Sequence, residues 1–231
     1  MTDLMKSPRL FIEDDIAQGA NIILSPDHVH YLINVMRKSD DDQVRIFNGR
    51  DGEYAGILKL QSKKQAHIID IQKIFDQLYQ SRAIHLYIAP IKKDRMAFLI
   101  EKAVELGVTD IHPVITERTQ NGKINENKTL KKIIEASEQC ERMDIPTLHP
   151  VLKLRDADFH APTFAAIERS NAPFFGGEMD GDIGLLIGPE GGFSVTEIDY
   201  LMVNANIIPC SLGDRILRAE TAAFFMLSRV V

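Results

Sequence analysis

The fold of this 231-residue chain is decided by the stretch Ile183-Gly-Leu-Leu-Ile-Gly-Pro-Glu-Gly-Gly-Phe193. Its apolar first half, Gly184 to Ile187, predicts a short buried strand, and the glycines and proline after it predict a turn that leads into a helix. Because Gly188, Gly191 and Gly192 carry no Cβ, a ligand can lie directly against the main chain there. The stretch therefore predicts a strand, a loop of exposed backbone and a helix in succession.

A second glycine-containing stretch, Leu212-Gly-Asp-Arg-Ile-Leu-Arg-Ala-Glu-Thr221, also follows an apolar strand, Ile207 to Ser211. One glycine turn would be ordinary in any α/β protein, but loops after parallel strands meet at one edge of the sheet, so two of them predict the walls of one pocket. The spacing matches neither a dinucleotide fingerprint nor a P-loop, and Glu190 would repel a phosphate. A neutral or cationic ligand fits better. Ser194-Val-Thr-Glu197 fits a capping box, which places the start of the next helix there.

The composition describes a globular chain with 45% hydrophobic residues, enough to build a core. No apolar run approaches the roughly 18 residues of a membrane span, and the N-terminus lacks the apolar segment of a signal peptide. Cys140 and Cys210 lack metal-site spacing, so they are expected to be reduced thiols. His28 and His30 would point to different faces of a helix and cannot share a metal. We therefore expect a cytoplasmic protein without a membrane partner and without a metal site.

The net charge of −6 argues against binding of nucleic acid through an overall positive field. Any contact with RNA must then come from local basic clusters. Two such clusters are present: Lys92, Lys93 and Arg95, and Lys128, Lys131 and Lys132.

The chain divides into a strand-rich first part and an alternating second part. Residues 1–75 predict a small β-barrel, residues 76–82 a polar linker, and residues 83–231 a parallel α/β domain. The barrel strands are expected at residues 9–12, 21–24, 43–47, 53–60 and 65–74, with one helix over Pro26–Arg37 capped by Ser25. In the second part we expect strands at 84–89, 111–115, 163–168, 184–187 and 207–211, and helices at 94–106, 129–142 and from Arg218 to the end.

The C-terminal helix is predicted to be apolar nearly all round, because Ala222 to Leu227 are contiguous apolar residues. Such a helix must be covered on more than one side. Its own sheet can cover one side, and a second subunit related by a two-fold axis is the simplest cover for the other. The pattern predicts a homodimer.

The two glycine stretches, read as Leu186-Ile-Gly-Pro-Glu-Gly-Gly-Phe-Ser194 and Leu212 to Ala222, resemble the paired C-terminal signature of the ribosomal RNA small subunit methyltransferase E family, in the knotted SPOUT superfamily. The resemblance covers nearly the whole chain and includes Pro8–Phe11, Asp94–Met96, Glu101–Gly107, Thr116–Arg118 and Glu135–Gln139. It implies a C-terminal SPOUT domain with a mostly parallel sheet and a trefoil knot, an N-terminal PUA-like barrel that docks RNA, and a homodimer. The acidic run Ser39-Asp-Asp-Asp42 departs from the family and predicts a solvated loop.

The resemblance implies S-adenosylmethionine as methyl donor and, as acceptor, N3 of one uridine in small-subunit (16S) ribosomal RNA, presented as free RNA or in an assembled small subunit. The donor would lie on the two glycine loops, against Leu186, Ile187, Gly188, Gly191, Gly192, Leu212, Gly213, Ile216, Leu217 and Thr221. Uracil N3 carries a proton that must leave before the nitrogen can attack. Arg218 is expected to stabilise the uracil anion, and Glu190 or Glu220 to take the proton, since a guanidinium cannot act as a base. Glu220 could equally serve the helix start.

The expected substrate contacts come from both parts of the chain. Arg9 and Arg37 are candidate phosphate partners or ordinary surface charges, and Arg118 follows the carboxyl end of a strand, where ligand contacts collect. The polar helix face with Glu138, Gln139 and Arg142 meets either water or substrate. Two other functions stay open: a non-catalytic RNA-binding ribosome assembly factor, and a knotted methyltransferase that acts on a different RNA position.

Overall fold

The structure is a computed structural model that describes residues 4–62, 64–120, 122–168, 171–176 and 179–230. The chain divides into two compact units. Unit 1 consists of Met1–Tyr79 and Ser137–Ile145, and unit 2 of Gln80–Ala136 and Pro146–Val231. The membership of residues 137–145 in the first unit has no counterpart in the sequence prediction.

Unit 1 is built on a curled five-stranded sheet. Its strands are β1 (Arg9–Phe11), β2 (Ile22–Ile23), β3 (Gln43–Phe47), β4 (Glu53–Ser62) and β5 (Gln65–Phe75), in the order β1-β3-β4-β5-β2. The β1–β3 pair is parallel and the other pairs are antiparallel. Alternate residues of these strands point to one face, and their core includes Leu32, Ile46, Leu58 and Ile68.

The predicted helix over Pro26–Arg37 is shorter and less regular than the periodicity indicates. Helix α1 covers Pro26–His30, with the Ser25 hydroxyl accepting a hydrogen bond from His28 N as predicted, and a π-helical turn, Tyr31–Val35, follows it. Arg37 then adopts a left-handed conformation with φ of 54°. Since a non-glycine residue in that region cannot continue a right-handed helix, the element ends there. The acidic loop after it is partly neutralised, because Asp40 and Asp41 both pair with Lys59.

Unit 2 is an α/β unit around a seven-stranded sheet whose pairs are all parallel, as predicted. The strands are β6 (Ile84–Ile88), β7 (Asp110–Ile115), β8 (Thr147–Leu148), β9 (Leu152–Lys153), β10 (Thr163–Ala166), β11 (Ile183–Ile187) and β12 (Ile207–Cys210). The order is β12-β10-β11-β6-β7-β8, and β9 pairs with β7. Strand β11 is buried along its whole length, which explains its uninterrupted apolar sequence.

In the described residues after β5, four α-helices accompany these strands: α2 (Lys93–Glu105), α3 (Glu126–Gln139, whose last residues belong to unit 1), α4 (Val195–Val203) and α5 (Ala219–Leu227). The capping box at α4 is confirmed, with Ser194 Oγ accepting from Glu197 N at 3.1 Å and Glu197 Oε2 accepting from Ser194 N at 2.9 Å. Helix α3 begins and ends earlier than predicted because Asn125 Oδ1 accepts a hydrogen bond from Lys128 N and Glu141 has a positive φ of 61°. In the described part of the chain, the helices are all too short or too polar to cross a membrane.

Candidate functional site

Two loops at the carboxyl ends of β11 and β12 form a pocket of about 570 Å³ in unit 2. The first loop runs through residues 188–193 and the second through residues 211–217. The predicted pocket at the strand ends is therefore present, at the edge where parallel α/β sheets collect their ligands. Eight of the residues predicted to bind the cofactor line it: Ile187, Gly188, Gly191, Gly192, Leu212, Gly213, Ile216 and Leu217.

Two predicted cofactor residues lie outside this lining. Leu186 is fully buried in the core of unit 2 with Tyr87 and Phe193. Thr221 is an exposed residue of α5. Strand periodicity accounts for the first case, because Leu186 and Ile187 point to opposite faces of β11.

Geometry favours glycine at three of the four glycine positions in the two loops, Gly188, Gly192 and Gly213. Gly192 has φ of 66° and Gly213 has φ of 100°, a region that residues with a side chain rarely adopt. A Cβ on Gly188 would lie 3.1 Å from Cζ of Phe193. Gly192 N donates to Pro189 O at 2.9 Å, which closes the first loop as a tight turn. The bare main chain of both loops is thus set by backbone conformation and by the packing of Phe193.

Arg118, predicted as a substrate contact, lies on the loop after β7 and lines the same pocket. Its Nη1 donates to the carbonyl of Gly191 at 2.9 Å. The preceding residue, Glu117, accepts from Thr196 Oγ1 at 2.9 Å and donates its backbone N–H to Glu197 at 2.8 Å. Hydrogen bonds from Ser194 and Thr196 hold the pKa of Glu117 below its usual value. The loop after β7 that carries Glu117 and Arg118 is therefore tied to the first loop and to the start of α4.

The two candidate bases share one cation that the sequence did not single out. Arg95, on α2, pairs through Nη2 with Glu190 of the first loop, and its Nη1 lies 3.5 Å from Glu220 Oε1 on α5. Glu220 is 9% exposed, and its buried Oε2 lacks a hydrogen-bond partner within the described residues. Neither carboxylate lines the pocket. Arg95 was expected only as part of a basic cluster, and a partner 125 residues away leaves no local signal in the sequence.

Arg218 occupies the N-cap position of α5 with an extended backbone, φ of −68° and ψ of 155°. Its side chain is exposed. Within the described residues it enters no ion pair, unlike Arg95, which pairs with two carboxylates. Its chain neighbours Leu217 and Ala219 line the pocket, whereas Arg218 itself does not.

Of the substrate contacts expected in unit 1, Arg9 is buried inside the unit. Arg9 is 5% exposed, and its Nε lies 3.1 Å from Glu53 Oε2. It also donates to the carbonyls of Ser137 and Arg142, and burial lowers the pKa of its guanidinium more than Glu53 raises it. The geometry favours a structural role for Arg9, and phosphate binding by this residue stays a prediction.

Glu138 and Arg142 also make contacts inside unit 1. Glu138 Oε1 accepts from the backbone N–H of Phe11 at 2.8 Å, and Arg142 Nε donates to Asp144 at 3.1 Å. Arg37 and Gln139 are exposed, which leaves both available to a ligand. The hydrogen bond between Glu138 and Phe11 joins residues 137–145 to β1. The substrate roles of Glu138, Arg142, Arg37 and Gln139 stay predictions.

Comparisons with known proteins agree with this arrangement. Residues 79–231 match the model of the RNA methyltransferase domain, and residues 24–71 match that of the RNA methyltransferase PUA domain. A ribosomal RNA small subunit methyltransferase E from Rickettsia conorii is 32% identical, with 98% of this chain and 96% of that protein covered.

Two solved structures share both units. One is a Legionella pneumophila protein assigned as a methyltransferase, in complex with the bound cofactor SAM, with a TM-score of 0.86, 33% identity and 96% of each chain covered. The other is a ribosomal RNA small subunit methyltransferase E from Neisseria gonorrhoeae bound to S-adenosyl methionine, with a TM-score of 0.83, 28% identity, and 96% of this chain and 95% of that one covered. This chain therefore belongs to the ribosomal RNA small subunit methyltransferase E family.

Proposed function

We propose that this chain transfers a methyl group from S-adenosylmethionine to N3 of a uridine in small-subunit ribosomal RNA. The observation that carries the proposal is the pocket between the two glycine loops, together with S-adenosylmethionine bound in the two related structures. Family membership supports ribosomal RNA as the substrate class.

The pocket suits the donor in size and in chemistry. Its volume of about 570 Å³ falls within the roughly 300–1,000 Å³ typical of small-molecule sites. The apolar side chains of Ile187, Leu212 and Leu217 offer surface for an adenine ring, and the glycine main chain offers N–H and C=O groups for its polar edge. Glu168 and Asp214 also line the pocket, and their negative charge favours a sulfonium cation. When bound, the donor supplies an electrophilic methyl group.

The acceptor requires the removal of a proton from uracil N3 and the stabilisation of the charge that remains. Arg218 donates from its free guanidinium to the uracil carbonyl oxygens, where this charge collects. Glu190 or Glu220 takes the proton from N3. Both carboxylates already pair with Arg95, so Arg95 positions the base whichever of the two it is.

Arg218→Ala tests this assignment. We expect methyl transfer to fall by at least a factor of 100, within the range of about 10²–10³ for loss of one charge-stabilising donor, while the affinity for S-adenosylmethionine changes by only a few fold. Arg155→Ala is the matched control, since Arg155 is also exposed and lies outside the pocket. Unchanged turnover in Arg218→Ala would remove the assignment.

The substrate is tested with small ribosomal subunits that lack the modification. The subunits, and separately the naked RNA, are incubated with the protein and labelled S-adenosylmethionine, and the product is mapped by mass spectrometry. We expect one methyl group on a uracil ring, at N3. A methyl group on a ribose or another base would contradict the proposed position, and no transfer with either substrate would favour a non-catalytic assembly factor.

Three finer expectations complete the proposal: a trefoil knot in the C-terminal domain, a homodimer and a cytoplasmic location. The homodimer is supported by apolar surface near α5, where Phe98 is 48% exposed while its ring packs edge-on against Phe224. A partner subunit would remove such surface from water. Sedimentation equilibrium at micromolar concentration gives twice the 26.0 kDa chain mass if the dimer forms.

A further inference from the structure

A cluster of histidines lies in unit 2 near the amino-terminal ends of the sheet strands, whereas the pocket lies at their carboxyl ends. His85 is the second residue of β6 and Asp110 the first of β7, and the parallel register pairs His85 with Asp110 and Tyr87 with His112. Side chains two residues apart on a strand share a face, so His85, Asp110 and His112 converge. Four of the seven histidines of the chain belong to this region: His85, His112, His149 and His160.

The three converging side chains have the spacing of a metal-ligand set. His85 Nδ1 lies 3.1 Å from His112 Nε2 and 3.7 Å from Asp110 Oδ2. All three candidate ligand atoms fall within 4.8 Å of one another. Ligand atoms at about 2.0–2.1 Å from a tetrahedral zinc ion lie roughly 3.3 Å apart. The observed separations lie around this value, so small side-chain rotations close the set on one ion.

The types of donor atom also suit a cation. The set offers two imidazole nitrogens and one carboxylate oxygen, a combination that first-row divalent metals such as zinc prefer.

A second layer of contacts holds these ligands in place. His149 Nε2 lies 2.7 Å from Asp110 Oδ1, and the ring of His149 stacks on that of His112 at 3.9 Å. Tyr87 stacks on the other side of His112 at 4.4 Å, and Thr109 Oγ1 donates to Asp110 Oδ2 at 2.9 Å. Such outer contacts orient the ligands in metal sites. The side chains of Asp110 and His85 are 20% and 12% exposed, which gives an ion a route from solvent.

We propose that His85, Asp110 and His112 form a binding site for a divalent transition-metal ion of the zinc type, with water at the fourth position. The ion joins β6 to β7 at their amino-terminal ends and takes no part in methyl transfer, because the pocket lies at the carboxyl ends of the strands. The sequence alone predicts no metal site, since its ligands come from two strands and lack the short spacing of known metal motifs.

The test uses untagged protein treated with a chelator and then titrated with Zn²⁺ by calorimetry, without donor or RNA, so that the result does not depend on the proposed enzyme activity. We expect one ion per chain and a rise in the melting temperature when Zn²⁺ is added. Substitution with Co²⁺ should give the visible absorption of a tetrahedral complex.

Asp110→Asn and His85→Gln should each weaken Zn²⁺ binding by at least tenfold, and His160→Gln should leave it unchanged. His160 is the matched control because its ring lies 5.9 Å from that of His85 but its side chain is 54% exposed and outside the ligand set. Circular dichroism shows which variants are folded. The titration of wild-type protein tests the proposal even if a variant does not fold. The proposal is overturned if wild-type protein binds no Zn²⁺ saturably, or if folded Asp110→Asn and His85→Gln bind it as tightly as wild type.

Discussion

Replacing Gly192 by alanine tests whether the first loop holds the methyl donor through its bare main chain. Gly192 has φ of 66°, and a Cβ built there meets no heavy atom of the described part of the chain within 4 Å. The added methyl group therefore enters open space beside the pocket that Gly192 lines. It would keep any ligand atom at a carbon contact distance of about 3.5–4.0 Å, and so away from the main-chain N–H groups.

The effect on stability can be separated from the effect on binding with a matched control. Gly181 has φ of 72°, and a Cβ built there also meets no atom of the described residues within 4 Å, but Gly181 lies outside the pocket. An L-residue in the left-handed region costs roughly 1–2 kcal/mol, so Gly192→Ala and Gly181→Ala should lower the free energy of unfolding equally. Only Gly192→Ala should weaken the binding of S-adenosylmethionine. We expect a loss of affinity of at least tenfold, which corresponds to about 1.4 kcal/mol of binding free energy.

The assay combines urea unfolding with calorimetric titration of S-adenosylmethionine into wild type and both variants. Equal donor affinity in all three proteins, at equal loss of stability in the two variants, would show that the donor does not lie against Gly192. A loss of affinity in both variants would mean that the loss follows stability and not contact. Either outcome would refute the account of the first loop.

The other predictions concern parts of the fold that support the site. Glu53→Gln should lower the free energy of unfolding by about 3–5 kcal/mol in urea titration, because it leaves two buried guanidinium groups without their shared carboxylate; a loss below about 1 kcal/mol would contradict this. Glu197 is 2% exposed and accepts hydrogen bonds from two backbone N–H groups. Glu197→Ala should therefore lower the free energy of unfolding by about 1–3 kcal/mol, measured by thermal unfolding. An unchanged melting temperature would show that the capping box does not stabilise the fold. Burial raises the pKa of Cys210 to about 12, so a thiol reagent at mildly alkaline pH should modify Cys140 well before Cys210 by mass spectrometry, and equal rates would show that the core opens.

Features determined by neighbouring residues could be predicted from the sequence. The apolar run before Gly188 predicts β11, and the pair Ser194 and Glu197 predicts the capping box, because each signal lies within one turn or one strand. The pocket followed from placing two such loops at the same edge of a parallel sheet. Most of its predicted lining is present for that reason.

Features determined by distant residues could not be predicted in this way. Arg95 meets Glu190 and Glu220, and Arg9 meets Glu53, only because the fold brings separate elements together. In the sequence alone, nothing distinguishes these charged residues from ordinary charged residues exposed to solvent. The burial of Arg9 shows the consequence, since a residue expected to be either a phosphate partner or an ordinary surface charge is only 5% exposed.

Some helix ends are determined by single residues, which change the hydrophobic periodicity of the sequence too little to be recognised from it. Asn125 starts α3 earlier than Thr129 would, because its side chain caps the first turn. Arg37 and Glu141 end their elements by adopting positive φ angles. Such choices depend on tertiary contacts as much as on local propensity.

The most direct test of the account is a crystal structure of this protein with S-adenosylmethionine. The account predicts that the donor lies between the loop of residues 188–193 and the loop of residues 211–217, in contact with the main chain of Gly192, and that the guanidinium group of Arg218 faces the sulfonium-bound methyl group with room for a uracil between them. A donor bound elsewhere on the chain, or a bound donor whose methyl group is closed off from Arg218, would contradict it.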